Sequence, residues 1–335
     1  MQIIELKKQI TSGKIKNTYL FTGDEQYLIN NYIELIEKHL LDPQTASLNR
    51  DFFDECKDIN RIIDSCMSFP MFSDNKLIIV KNSSFFTMKK ESVEPLIKYV
   101  NSPCKTSCLV FWEEKIDKRN ALYKAVASAG VFFEFEYRTP DELHKWIISI
   151  LKRHNKTMDR DACIKLIFNC DNGMYELENE LNKLLLYCSD RDCIKLSDVN
   201  NISIRSVKAG IFELTDAVTT GQTDIAYKKL YDLFYLKEPA FMIFFMISRQ
   251  FMILNETINM KMTGFDLKQI SQKTKTPDYI TGKNVKNAEI YGLENIKKAI
   301  SLINKIDIDI KSGNVTVDSG LDILIHSLSN KIFIL

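Results

Sequence analysis

Thr18-Tyr-Leu-Phe-Thr-Gly-Asp-Glu-Gln-Tyr-Leu-Ile-Asn30 changes its hydrophobic period halfway along, and that change sets the fold of the first part of the chain. Residues 18–22 are a short run of aromatic, β-branched and apolar side chains, which reads as a strand. Gly23 and Asp24 break it, and Tyr27, Leu28, Tyr32, Leu35, Ile36 and Leu40 then recur at helical spacing, with Asp24 standing as a candidate N-cap. Outward from this unit the pattern repeats. Apolar runs at 48–53, 77–80, 108–112 and 131–135 read as further strands, separated by helical stretches near 58–67, 89–101 and 118–129. Connections of that length imply an α/β domain with mainly parallel strands.

A strand, a glycine and a helix in that order is where a nucleotide-binding protein places its phosphate loop. The loop needs a second glycine, a lysine to neutralise phosphate and a hydroxyl for magnesium. Here the corresponding residues are Gly23-Asp-Glu-Gln-Tyr-Leu-Ile-Asn30, in which all three are missing and Asp24 and Glu25 would repel an anion. Other catalytic signatures are absent too: no Gly-x-Ser-x-Gly, no His-Glu-x-x-His and no glycine-rich dinucleotide turn occurs. Glu113-Glu114 and the pair Asp307 and Asp309 are expected to face water. Glu176, Glu178 and Glu180 lie near a helix start, where the dipole favours negative charge, and are expected on a solvated face.

The second informative stretch is Ser68-Phe-Pro-Met-Phe-Ser-Asp-Asn-Lys-Leu-Ile-Ile-Val80. Ile59, Ile62, Ile63 and Cys66 form a helical stripe before it and a buried-strand run follows, so Pro70 sits in a helix-to-strand connection. Such connections are ordinarily polar, yet this one carries Phe69, Met71 and Phe72. Either the three fold back as a cover on the core, as Phe and Met generally do, or the Met-Phe pair is a plug for another protein's pocket.

Pro140 opens a different regime. Strand signals cease; Leu143, Trp146, Ile147, Ile150 and Leu151 mark a helix from Pro140 or Asp141, and helices follow at 159–169 and 174–187. From about Ala209 the chain reads as wholly helical, with breaks at Gly221, Glu238-Pro239, Gly264, Pro277, Gly292 and Gly313. Residues 240–254 are apolar almost all round, which implies a helix buried on several sides. The sequence thus divides into an α/β domain (1–140), a small helical domain (141–208) and a larger helical domain (209–335).

Composition bounds the function. The 335 residues are 45% apolar and 27% charged with a formal net charge of +1, ordinary for a globular chain of two or three domains. Lys and Arg balance Asp and Glu along its length, so no segment has the basic excess of an autonomous DNA-binding domain. No run approaches a membrane span and the start lacks a signal peptide's apolar stretch, so a cytoplasmic protein with no membrane partner is expected. The eight cysteines are dilute and form no Cys-x-x-Cys pair, which favours reduced, mostly buried thiols; the four histidines show no ligand spacing, and neither metal nor cofactor is expected.

Several of these segments resemble the delta subunit of the bacterial DNA polymerase III clamp loader. Tyr19-Leu-Phe-Thr-Gly-Asp-Glu-Gln-Tyr-Leu-Ile29 is similar to that family's opening strand and Gly-Asp-Glu turn, and residues 69–80 to its apolar loop and following strand. Glu178-Asn-Glu-Leu-Asn-Lys-Leu184, Ile211-Phe-Glu-Leu-Thr-Asp-Ala217 and Ile306-Asp-Ile-Asp-Ile-Lys-Ser-Gly313 follow in the family's order. The resemblance implies an AAA+-like α/β domain without a functional phosphate loop, a small helical lid domain and a C-terminal helical collar that joins neighbouring subunits. It also implies a subunit of a nucleotidyltransferase holoenzyme with no catalysis or ATPase activity of its own. Its partners would be the sliding clamp, whose ring it opens or holds open, the ATP-binding and delta-prime subunits, and primed DNA through the assembled complex. Met71 and Phe72 would be the clamp-binding residues, with Phe69 a further candidate for the clamp or the core. The rival readings are an unrelated helical scaffold and a nucleotide-dependent remodelling protein.

Overall fold

The computed structural model describes residues 3–170, 173–204, 206–274, 276 and 278–333. The chain forms two compact units, one of residues 1–139 with 173–175 and the other of residues 140–172 with 176–335. The break expected at Pro277 lies outside the described residues.

In the first unit α1 (Ile3–Thr11) precedes β1 (Thr18–Thr22), α2 (Gln26–Leu40), β2 (Arg50–Asp54), α3 (Ile59–Met67), β3 (Lys76–Lys81), α4 (Lys90–Asn101), β4 (Ser107–Glu113), α5 (Ala121–Ala129) and β5 (Val131–Glu134). The strands form one parallel sheet in the order β2-β3-β4-β1-β5, the AAA+-like arrangement. Because side chains alternate across a strand, each face receives its own core. Tyr19, Phe21, Leu77, Ile79 and Val110 pack with Leu6 and Ile10 of α1 and Ile29, Ile33 and Ile36 of α2. On the opposite face Leu20, Ile78, Val80, Leu109 and Phe111 pack with Ile62, Val93, Leu96, Leu122 and Val126 of α3, α4 and α5. Such strands, covered on both faces, read as continuous apolar runs, which is why they were legible. β2 is the exception: it starts at Arg50 because Ala46–Leu48 is a 3-10 turn. α5 starts at Ala121, where the Asn120 side chain caps it.

The second unit begins with α6 (Pro140–Arg153), β6 (Thr157–Met158), α7 (Arg160–Asn169), α8 (Met174–Tyr187), β7 (Cys193–Ile194) and α9 (Leu196–Ile202). The two-residue strands β6 and β7 pair in parallel, against the expectation that strands cease at Pro140; two residues are too few to show a period. α10 (Val207–Thr219), α11 (Thr223–Tyr235), α12 (Ala240–Met262), α13 (Leu267–Thr274), α14 (Asp278–Tyr291), α15 (Leu293–Lys311) and α16 (Val317–Asn330) complete it. Their core gathers Leu214, Leu230, Ile243, Ile247, Phe251, Leu302, Leu321 and Leu324.

α12 meets expectation except along one strip. It is long and apolar enough to cross a membrane by length and composition, yet Ile243, Phe244, Ile247, Phe251 and Leu254 lie in the bundle core. α12 packs against α10, α13, α14, α15 and α16, so it is buried on several sides as expected, but Phe241, Met242, Phe245 and Met252 are about half exposed along one remaining strip. Two acidic expectations are also corrected. Glu180 is buried, its carboxylate accepting from Lys183 Nζ at 2.6 Å and from the Ile204 amide at 3.1 Å. Glu113 is buried at the end of β4 and accepts from the Ser83 amide at 3.0 Å, from the Ser83 hydroxyl and from the Ser84 amide, while burial pushes its carboxyl above the usual range. Partners distant in sequence draw both glutamates inward.

The turn from β1 to α2 is the tightest point of the first unit. Gly23 has φ +120°, and a Cβ there would lie 2.2 Å from the Phe135 carbonyl oxygen. Phe135 donates its amide to Thr22 O at 2.7 Å and accepts from the Glu25 amide at 3.0 Å, so backbone occupies the space on both sides of the glycine. Gly23→Ala is therefore expected to destabilise the chain by at least about 3 kcal/mol, through combined strain and overpacking. A urea titration monitored by circular dichroism checks this; an unchanged midpoint is incompatible with the close approach.

Candidate protein-binding site

The carboxyl end of the parallel sheet is where this architecture carries nucleotide. Here that position is closed. Glu25 rather than Asp24 caps α2, its buried carboxylate accepting from the Tyr27 amide, so a negative side chain already stands where phosphate would meet the helix N-terminus. Trp112 Nε1 donates to Gln26 Oε1 at 2.7 Å across the same end of the sheet, and the Phe135 backbone fills the space against Gly23.

The segment from α3 to β3 does the opposite and projects outward. Phe69 is 89% exposed, Met71 54% and Phe72 88%, so none of the three covers the core, and Phe69 stands outside with the other two. The connection is nonetheless fixed to the domain at several points. Ser68 caps α3, its amide donating to Asp64 O at 2.9 Å and its hydroxyl to Ser65 O at 2.8 Å. At the other end Lys76, buried at the first position of β3, donates from Nζ to Ser68 Oγ at 2.8 Å and pairs with Asp51 at 2.8 Å. Ser65 Oγ donates to the same carboxylate at 2.5 Å. Between these ends the fully buried Asn49 side chain accepts from the Met71 amide at 2.6 Å and donates to the Met71 carbonyl at 2.8 Å. Phe72 follows in the left-handed region at φ 53°, a conformation costing a bulky residue on the order of 1 kcal/mol. Three large side chains are thus held in water on a loop whose backbone is bonded at Met71 and strained at Phe72.

Met71 and Phe72 were visible in the sequence; the residues that hold them were not. Lys76 gave a signal, as a lysine directly ahead of an apolar strand run. Asn49 and Asp51 lie about twenty residues before the loop and share no spacing motif with it, since β2 and β3 meet only in the sheet.

A second concave site of about 480 Å³ lies in the helical unit, between α7, α10 and α11. Lys165, Lys229 and Lys283 face Asp161, Glu213 and Asp216 there, and Glu213 binds Lys165 and Lys229 at 2.7 Å each. Burial opposes ionisation of Glu213, but the two lysines outweigh it and hold its carboxyl below the ordinary value. The lining is charge-balanced and reads as a packed ionic junction. Among the described residues no group of three His, Cys, Asp or Glu side chains could hold a metal ion.

A parallel AAA+-like domain with a closed phosphate position, followed by helices and bearing an exposed apolar loop, is the class of fold the chain adopts. Comparison with known proteins makes the class specific. Residues 19–136 match the family model for the DNA polymerase III delta subunit, and residues 208–328 match the model for that subunit's C-terminal domain. The chain belongs to the DNA polymerase III delta-subunit family. It is 26% identical to DNA polymerase III subunit delta of Bacillus subtilis over 320 residues, covering 93% of this chain and 92% of that one. It is 20% identical over 234 residues to the probable DNA polymerase III subunit delta of Aquifex aeolicus, covering 67% and 65% of the two chains. Among solved structures, the Bacillus subtilis DNA clamp loader delta protein superposes with a TM-score of 0.63 at 24% identity, over 98% of this chain and all of that one.

Two outcomes follow from the site. Titration calorimetry with ATP is expected to show no saturable binding at micromolar concentrations; a micromolar site lost on mutation around Gly23 contradicts the closed turn. For Asp51, burial works to raise the pKa, but Lys76 and Ser65 outweigh it and hold the carboxyl below 3.8. A group depressed in the fold contributes stability that is present above its unfolded pKa and lost as pH falls through its folded one. The urea-midpoint advantage of wild type over Asp51→Asn is therefore expected to shrink from about pH 5 downward and to vanish only below the depressed pKa of the folded protein.

Proposed function

We propose that this chain binds the sliding clamp through Met71 and Phe72, with Phe69 at the rim, and opens or holds open one interface of the ring for loading onto primed DNA. The observation that carries the reading is the exposed, backbone-anchored Met71-Phe72 tip on a chain of the delta-subunit family. An apolar pair kept in water on a fixed loop fits a pocket on another protein better than any role within its own domain. Burying both side chains contributes roughly 3–6 kcal/mol, enough to shift a ring interface if the open form accepts them better than the closed form. Affinity equal for both forms would open nothing.

The remaining parts follow the same reading. Residues 1–140 form the clamp-binding domain, 141–208 the lid and 209–335 the collar. The collar joins the ATP-binding and delta-prime subunits in the clamp loader, and the half-exposed Phe241, Met242 and Phe245 of α12 offer it an apolar surface. ATP switching is supplied by those neighbours, primed DNA is met through the assembled complex, and the protein works in the cytoplasm.

The double variant Met71→Ala with Phe72→Ala tests the assignment. It is expected to weaken binding to the cell's sliding clamp at least about 100-fold by surface plasmon resonance, with the thermal midpoint held within about 2 °C because neither side chain is core. Normal binding by the double variant, or its unfolding, overturns the assignment.

A further inference from the structure

We propose that Asn49 is the positioning residue of the clamp-binding loop: its carboxamide, gripping both backbone groups of Met71, fixes the loop in its binding conformation before the partner arrives. The inference rests on the reading that Met71 and Phe72 enter the clamp. Asn49 touches no partner, since its side chain is fully buried.

The geometry is that of a one-residue strand pairing made by a side chain. Asn49 Oδ1 accepts a hydrogen bond from the Met71 amide at 2.6 Å and Nδ2 donates one to the Met71 carbonyl at 2.8 Å, so both backbone groups of that residue are satisfied by one planar amide. Nδ2 also donates to Thr45 O at 3.0 Å, and the Asn49 carbonyl accepts from the Leu77 amide at 2.8 Å. The carboxamide is therefore itself locked, at its own turn and at the first residues of β3.

The consequence falls on Phe72. Its backbone sits at φ 53°, from which an unrestrained phenylalanine relaxes to the extended or right-handed regions. With Met71 pinned on one side and the Lys76 contacts to Ser68 and Asp51 closing the loop on the other, that relaxation is blocked. A loop already in its bound shape does not lose conformational entropy on docking, and affinity rises by that amount. Among the described residues no other side chain bonds to the backbone between Phe69 and Phe72. Asp and Glu offer no donor for the Met71 carbonyl, and Gln places its amide one methylene farther out, so the position calls for asparagine.

The test measures sliding-clamp affinity of full-length Asn49→Ala, Asn49→Asp, Phe72→Ala and the double variant Asn49→Ala with Phe72→Ala, each below its melting temperature. Asn49→Ala is expected to weaken binding about tenfold, and Asn49→Asp, whose buried carboxylate would face the Met71 and Thr45 carbonyls where Nδ2 now donates, at least as much. In the Phe72→Ala background the Asn49 change is expected to cost about threefold or less, because there is less side chain left to position. An equal loss in both backgrounds marks a merely structural role and overturns the proposal, as does an Asn49→Ala protein that binds like wild type while Phe72→Ala is impaired. If Phe72→Ala itself binds normally, the clamp reading fails instead. Amide exchange on wild type supplies the measurement that no unfolded variant can spoil: the Met71 amide is expected to exchange more slowly than that of Phe72, and equal rates overturn the grip.

Discussion

The contact between Gly23 and the Phe135 backbone governs what the first unit can be. A glycine at φ +120° lets the end of β1 turn beneath the Phe135 carbonyl, with 2.2 Å where any Cβ would have to fit. That approach brings β5 against β1, places Glu25 at the start of α2 and fills the end of the sheet with backbone and a carboxylate. A phosphate loop must leave room for an anion among its amides. This turn spends the same amides on Phe135 and Glu25, so closure of the sheet and anion binding exclude each other there.

With the nucleotide position closed, the same sheet serves as a rigid frame for one loop. β2 and β3 are neighbours, and residues at their starts converge beneath the connection from α3: Asn49 on the Met71 backbone, Asp51 and Lys76 on the stem. Loops ordinarily satisfy their backbone with water. Here the buried Asn49 side chain does so for Met71, and Phe69, Met71 and Phe72 are left facing solvent without the loop collapsing onto its own core. The arrangement turns the usual tendency of aromatic residues inside out at modest cost, because strain on the order of 1 kcal/mol at Phe72 is opposed by several hydrogen bonds of similar individual worth.

The helical unit shows the same separation of composition from placement. α12 is apolar nearly all round, a pattern that suits a fully enclosed helix, yet α10, α13, α14, α15 and α16 enclose it on all but one strip. Phe241, Met242 and Phe245 remain half exposed. An uncovered apolar strip on a helix of this length is an expected property of a subunit and an unusual one for a monomer. Glu113 and Glu180 depart in the opposite direction: acidic residues at a strand end and on a helix start went inside because amides and hydroxyls from other segments met them there.

The sequence by itself determined the alternation of five apolar runs with amphipathic helices, the change of regime at Pro140, the loss of the phosphate-loop residues after Gly23 and the misplaced Phe69, Met71 and Phe72. Each of these is a local property, a period, a missing residue or an apolar side chain in a turn, and a local property can be read from neighbours in the chain. It also carried the family resemblance, because the order of several short motifs survives in one dimension. Tertiary structure alone decided that Glu25 caps α2, that one apolar strip of α12 is left half exposed, that Glu113 and Glu180 are buried, and that the three apolar loop residues face water. It alone brought Asn49 to Met71. Glu25 aside, whose cap partner Tyr27 is local, the physical reason is shared: a side chain turns inward or outward according to which partners the packed sheet and bundle bring within bonding distance, and the deciding partners lie some twenty or more residues away, where no periodicity reaches.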